Sequence, residues 1–254
     1  MYPIIAKFGP MTIYSYGLMV AIAFLLGVYV AGIEAARKDI KLDLVYDLVL
    51  YLAIGSLIGA RVYYLIFFNP SIFVKDPASI LKVWEGGLAI HGAILGGALV
   101  AILFSRLRRI SFWKLADLVA PSIILGQAVG RIGCFLNSCC FGAPTESMFG
   151  VKFPKESLPY IAYAGLRVHP TQLYEFTLNL IGFFVLWSMR QKIKFDGGVF
   201  LLYLMIYSCI RVGISGLRGD SLYIWGTDLK TAQIVSGVVF VMALIVFIKR
   251  EKNA

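Results

Sequence analysis

The chain has 254 residues, 59% of them hydrophobic and only 15% charged, with a mean hydropathy of +0.81. Soluble domains average about 45–50% apolar and about 25% charged residues, and disorder needs low hydrophobicity with high charge, so this composition excludes both. The net charge of +10 would suggest nucleic acid in a soluble protein; in a chain this apolar, the placement of the charges decides.

A spanning helix needs about 20 mostly apolar residues. Seven stretches qualify, in chain order 11–33, 44–68, 88–104, 115–136, 171–189, 198–215 and 231–248. The first is read as retained, because Met1–Pro10 lacks the basic start of a cleavable leader. Between the fourth and fifth lies 137–170, which holds four of the nine prolines and no continuous apolar run. The prediction is an all-α polytopic membrane protein, a single integral membrane domain over 1–254 with seven transmembrane helices and a small extracytoplasmic head at 137–170. No internal repeat supports the inverted architecture of transporters.

Orientation follows from the loops that hold Lys and Arg. Thirteen of the 24 basic residues lie after spans one, three and five and in the C-terminal tail, and eight are spread over the longer opposite segments. This places the N-terminus outside and the C-terminus in the cytoplasm. It also turns most of the positive charge into a topology signal, so no nucleic-acid partner is expected.

Three arginines remain, Arg61, Arg131 and Arg211, each within or at the outer end of an apolar span. A charge at mid-bilayer costs from about 2.5 to over 10 kcal/mol, so such residues normally face the protein interior and serve a site; the alternative is snorkelling to the interface. Tyr207, Arg211, Ser215 and Arg218 are spaced to share one face of the sixth span. Arg131 sits among Gly126, Gly130 and Gly133, which permit close approach of a helix or a ligand. His91 follows Gly86-Gly87, a pair that predicts an irregular, mobile entry to the third span, and histidine takes a proton near neutral pH. His169 precedes Pro170 and is read as capping or orienting the fifth span, with Gln172 and Glu175 as polar partners one turn on.

Arginines and a histidine at one membrane depth suggest chemistry on an anionic lipid headgroup, because guanidinium is a bidentate ligand for phosphate. No H-E-x-x-H zinc motif occurs. Cys134, Cys139 and Cys140 form a C-x4-C-C run that admits small packing residues, a disulfide or a redox relay, and this is not a tetrahedral zinc spacing. No metal and no cofactor are expected.

The run GRIGCFLNSCCFG at 130–142 resembles the signature of the prolipoprotein diacylglyceryl transferases, enzymes of the bacterial cytoplasmic (inner) membrane. The likeness extends to SYGLM at 15–19, GARVYYLIFFN at 59–69, VWEGGLAIHG at 83–92, HPTQLYE at 169–175 and the Tyr207/Arg211/Arg218 stripe. It implies transfer of the diacylglyceryl group of phosphatidylglycerol to the lipobox cysteine of a preprolipoprotein, whose signal peptide docks at the bilayer, with a thioether formed and glycerol phosphate released. By matching positions, His91, Arg131 and Arg211 are the catalytic residues. Arg131, Arg211, Tyr16, Tyr207, Gly142 and Arg218 bind phosphatidylglycerol, from an active site on the extracytoplasmic side. The chain departs from the family at Cys134, where Asn is usual, and at Cys139 and Ser215, where Glu is usual. The competing readings are a paralogue with another acceptor, a lipid or solute transporter, and a thiol oxidoreductase built on the cysteines.

Overall fold

The computed structural model describes residues 3–9, 11–70, 82, 86–219 and 230–253. Lys75 and the Val83-Trp84-Glu85 part of the histidine motif lie outside the described residues. Among the described residues the chain forms an antiparallel hairpin of β1 (Ile4–Phe8) and β2 (Met11–Tyr14), followed by eight helices. These are α1 (Ser15–Arg37), α2 (Leu42–Phe68), α3 (Ile90–Arg108), α4 (Phe112–Leu136), α5 (Leu158–Ala162), α6 (Thr171–Met189), α7 (Gly198–Leu217) and α8 (Thr231–Lys252). The first predicted span begins late, at Ser15, because the apolar residues before it pair as β2 with β1.

Among the described residues six helices, α1 to α4 with α7 and α8, are long and apolar enough to cross a membrane. The predicted fifth span is the 19-residue α6, whose apolar run is interrupted by Gln172, Glu175 and Asn179, all buried on one face. Outward on the helices stand apolar side chains such as Leu25, Tyr29, Ile58, Ile94 and Met242, each more than half exposed. Helices that satisfy their own backbone and present apolar surface outward are what a bilayer requires, and the chain is a polytopic helical membrane protein. Basic residues gather in the last turns of α1, α3 and α8, where they also complement the helix dipole.

The chain divides into two compact units, Gly32–Ala116 and the combination of Met1–Ala31 with Asp117–Ala254. In the first, α2 and α3 pack through Gly55-x3-Gly59 against Gly92-x3-Gly96. A Cβ on Gly59 would collide with the backbone of Gly92 and Gly96, and one on Gly92 or Gly96 with the carbonyls of Gly59 or Gly55. Small residues at this spacing let two membrane helices approach closely enough for dispersion contacts to hold them. Arg61, buried on α2, donates Nη1 to the carbonyls of Gly86 and Gly87. Arg61 thus links α2 to the Gly86-Gly87 entry of α3.

In the second unit, Ala120 and Ile124 of α4, Leu186 of α6 and Val199 and Tyr203 of α7 form a fully buried core. Asp117, also buried, accepts the N–H groups of Gly197 and Phe200 at 2.9 Å each. It satisfies donors that the first turn of α7 leaves without helical partners. Asp117→Ala is expected to lower stability by about 1–3 kcal/mol, and Asp117→Asn to restore part of it, measured by thermal unfolding in detergent. Wild-type unfolding of the alanine variant would remove this cap from the account. The 137–170 region has a small core of its own, Phe141, Phe153 and Val168, with Val168 bridged to Pro144 and Val151.

Candidate active site

The site is built where α4 ends. Ser138 takes the left-handed conformation (φ 57°), Ser138 N–H donates to Phe135 C=O at 3.1 Å, and Cys139 N–H donates to Cys134 C=O at 3.0 Å. This pair of bonds is a Schellman termination, which brings the residue after the turn against the last helical turn; here those residues are Cys139 and Cys134. A second left-handed residue, Cys140 (φ 60°), turns the chain again. The three sulfurs lie within 4.8 Å of one another. All three thiols are free.

The loop is fixed from α6. Thr171 Oγ1 donates to Cys140 C=O at 2.8 Å and Gln172 Nε2 to Cys139 C=O at 2.7 Å, and both side chains are buried. Gly142 N–H donates to His169 C=O at 2.9 Å, and Gly142 forms a bridge with Arg218. A Cβ on Gly142 would lie 2.6 Å from His169 Cβ, 2.7 Å from His169 C=O and 2.9 Å from Leu217 C=O. Backbone on both sides cannot yield, so Gly142→Ala is expected to cost about 1–3 kcal/mol and to expose the 137–170 segment to limited proteolysis. Wild-type protease resistance would count against this tight fit.

One turn into α6, Glu175 is 1% exposed and gathers three arginines. Arg131 of α4 pairs with its Oε2, and Arg211 of α7 and Arg218 after α7 approach Oε1 at 3.2 and 3.6 Å. A carboxylate this deep is tolerable only when paired, and the arginines are held in turn. Each ion pair uses one terminal nitrogen of the guanidinium, Nη2 for Arg131 and Nη1 for Arg211, and the five N–H groups of each fork can serve an anion as well.

The cysteines share this neighbourhood. Arg131 stands one turn before Cys134 on α4, and the Arg218 and Arg131 charges act on Cys140. Hydrogen bonds from the Cys134 and Cys139 thiols, helped by those two arginines against the effect of burial, hold the Cys140 thiol well below the usual thiol range.

Of the residues the sequence singles out, Arg131, Arg211 and Arg218 meet at Glu175. Tyr207 lies near Arg131 and stacks on Tyr203 with centroids 6.0 Å apart. Tyr16, near the start of α1, packs against Gly133, within reach of the Arg131 charge. Gly142 is bonded directly to the loop. His91 belongs to the other unit, exposed on the first turn of α3 and facing Tyr63 at a ring separation of 5.9 Å. His169 acts mainly through its backbone, with its ring nitrogen 3.4 Å from Tyr174 Oη. Two residues carry more than the sequence reading gave them. Glu175 is the hub, and a lone acid inside an apolar span was its signal. Lys230, one of the eight basic residues in the segments opposite the basic clusters, is buried and donates to the carbonyls of Ser215, Gly216 and Arg218, which end α7.

Fold and site together define a multi-pass membrane protein with an arginine cluster assembled around one buried carboxylate and a thiol cluster at the end of α4. The model of the prolipoprotein diacylglyceryl transferase family matches residues 3–249. The phosphatidylglycerol–prolipoprotein diacylglyceryl transferase of Nostoc sp. is 43% identical over 241 residues, covering 92% of this chain and 84% of the relative. The enzyme of the same name from Geobacillus kaustophilus is 41% identical (96% and 90% covered), and that from Oceanobacillus iheyensis 39% (97% and 87%). The chain belongs to the prolipoprotein diacylglyceryl transferase family.

Proposed function

We propose that this chain transfers the diacylglyceryl group of phosphatidylglycerol to the cysteine thiol of a prolipoprotein, the first step of lipoprotein maturation. The observation that carries the reading is the cluster of Arg131, Arg211 and Arg218 around Glu175, in a chain that matches the family along nearly its whole length. The guanidinium forks grip the phosphodiester, and the bond to phosphate breaks as the thiol attacks the neighbouring glyceryl carbon. Arg131 and Arg211 stabilise the departing glycerol phosphate, with Arg218, Tyr16, Tyr207 and Gly142 shaping the headgroup site. His91 positions the acceptor or takes its proton.

In the same reading the chain spans the bacterial inner membrane seven times, with α6 as the fifth span and the N-terminus outside. The basic last turns of α1, α3 and α8 support this orientation. The site then opens to the extracytoplasmic side, where a preprolipoprotein presents its signal peptide.

Purified protein mixed with phosphatidylglycerol and a lipobox peptide is expected to yield diacylglyceryl-peptide and glycerol phosphate. The gene is expected to rescue a cell that lacks its own transferase. Glycerol phosphate released without modified peptide would point to another acceptor; no turnover of phosphatidylglycerol would sink the reading.

A further inference from the structure

We propose that Cys134, Cys139 and Cys140 bind a zinc ion whose fourth coordination position takes the thiol of the acceptor cysteine. The second half of this inference rests on the transferase reading, and the first does not. The sequence spacing argued against zinc because it assumed an ordinary turn between ligands. Two left-handed residues, Ser138 and Cys140, one on each side of Cys139, fold the run back so that the three sulfurs lie within 4.8 Å of one another. Tetrahedral zinc with bonds of about 2.3 Å needs sulfurs about 3.8 Å apart, a closure that small side-chain rotations supply. Thr171 and Gln172 hold the carbonyls of Cys140 and Cys139 from a separate helix, the kind of outer support that keeps ligands in place.

Charge and coordination number both fit. Zinc on three thiolates carries one net negative charge, welcome beside Arg131 and Arg218, whose charges already act on Cys140. Three protein ligands with one open position are the pattern of catalytic zinc, whereas structural zinc is closed by four. A thiol that coordinates zinc is deprotonated outright, which answers the acceptor's need to become a nucleophile near neutral pH. The acceptor sulfur forms its bond to the glyceryl carbon as the carbon–oxygen bond to phosphate breaks. The bonding pair leaves with glycerol phosphate, and the proton given up by the thiol balances that leaving group. The thioether that results is a poor zinc ligand, so product departs and the position reopens. The inference also gives a common purpose to Cys134 and Cys139, two of the three departures from the family pattern.

The test uses full-length protein purified in detergent under reducing conditions. The wild type is expected to hold about one zinc per chain. In place of zinc, cobalt(II) should give the sulfur-to-metal charge-transfer band of a thiolate site. Cys134→Ser, Cys139→Ser and Cys140→Ser should each weaken cobalt binding at least about tenfold, and Cys209→Ser on α7 should leave it unchanged. Absence of metal and of the cobalt band in the reduced wild type, or equal binding by the triple variant, overturns the site. So does a disulfide within the trio in protein isolated anaerobically. A lipobox peptide should shift the cobalt spectrum while its Cys→Ser analogue does not; no shift overturns the open position. Full transfer by chelator-stripped, metal-free enzyme overturns the metal's part in the reaction and leaves the transferase reading standing. Zinc bound normally with no turnover of phosphatidylglycerol does the reverse.

Discussion

Glu175→Ala is expected to lose about 3–5 kcal/mol of stability, the usual consequence of removing one partner from a buried ionic group. The loss should be large here because a single carboxylate, 1% exposed, serves three guanidinium groups drawn from three parts of the chain. Arg131 comes from α4, Arg211 from α7, and Arg218 from the segment that bridges to Gly142. Without Glu175, Arg131 and Arg211 are like charges at close range in a poorly hydrated site. At roughly 2–4 °C per kcal/mol for a chain of this size, thermal unfolding in detergent should come on the order of 10 °C early. Glu175→Gln keeps the shape and an acceptor oxygen but loses the charge, so it should fall between the two. An alanine variant with wild-type unfolding would show that the arginines do not depend on this carboxylate.

Much of this could be read without coordinates. The helices appear where apolar length predicts them, because lipid imposes that length on every spanning segment. Arg131 and Arg211 were legible for the reason that makes them expensive: an apolar span does not hold a charge without a use for it. What the sequence left out is relational. Arg61 reads like the other two, but only its contacts with Gly86 and Gly87 separate it from them. Lys230 stands at the edge of an apolar span and looks like a topology residue, until the end of α7 is seen to supply three carbonyls for it. The proximity of the three cysteines is not legible from spacing, because spacing rules assume standard backbone, whereas Ser138 and Cys140 both adopt a left-handed conformation that residues other than glycine rarely take.

Arg131→Ala should separate chemistry from folding, in contrast to Glu175. Removing Arg131 leaves Glu175 with Arg211 at 3.2 Å and Arg218 at 3.6 Å, so the carboxylate stays compensated and unfolding should move little. Transfer is expected to fall about 100- to 1,000-fold, the size of effect seen when one preorganised donor to a developing anion is lost. Charge builds on the phosphate oxygen as its bond to carbon breaks, so the loss should appear mainly in kcat, with a smaller rise in KM for phosphatidylglycerol. Arg131→Lys keeps the charge but not the planar fork that meets two phosphate oxygens at once, and should recover only part of the rate. Equal losses in the lysine and alanine variants would mean that bidentate geometry, more than charge, sets the rate. Full activity in the alanine variant would move the phosphate site away from the end of α4.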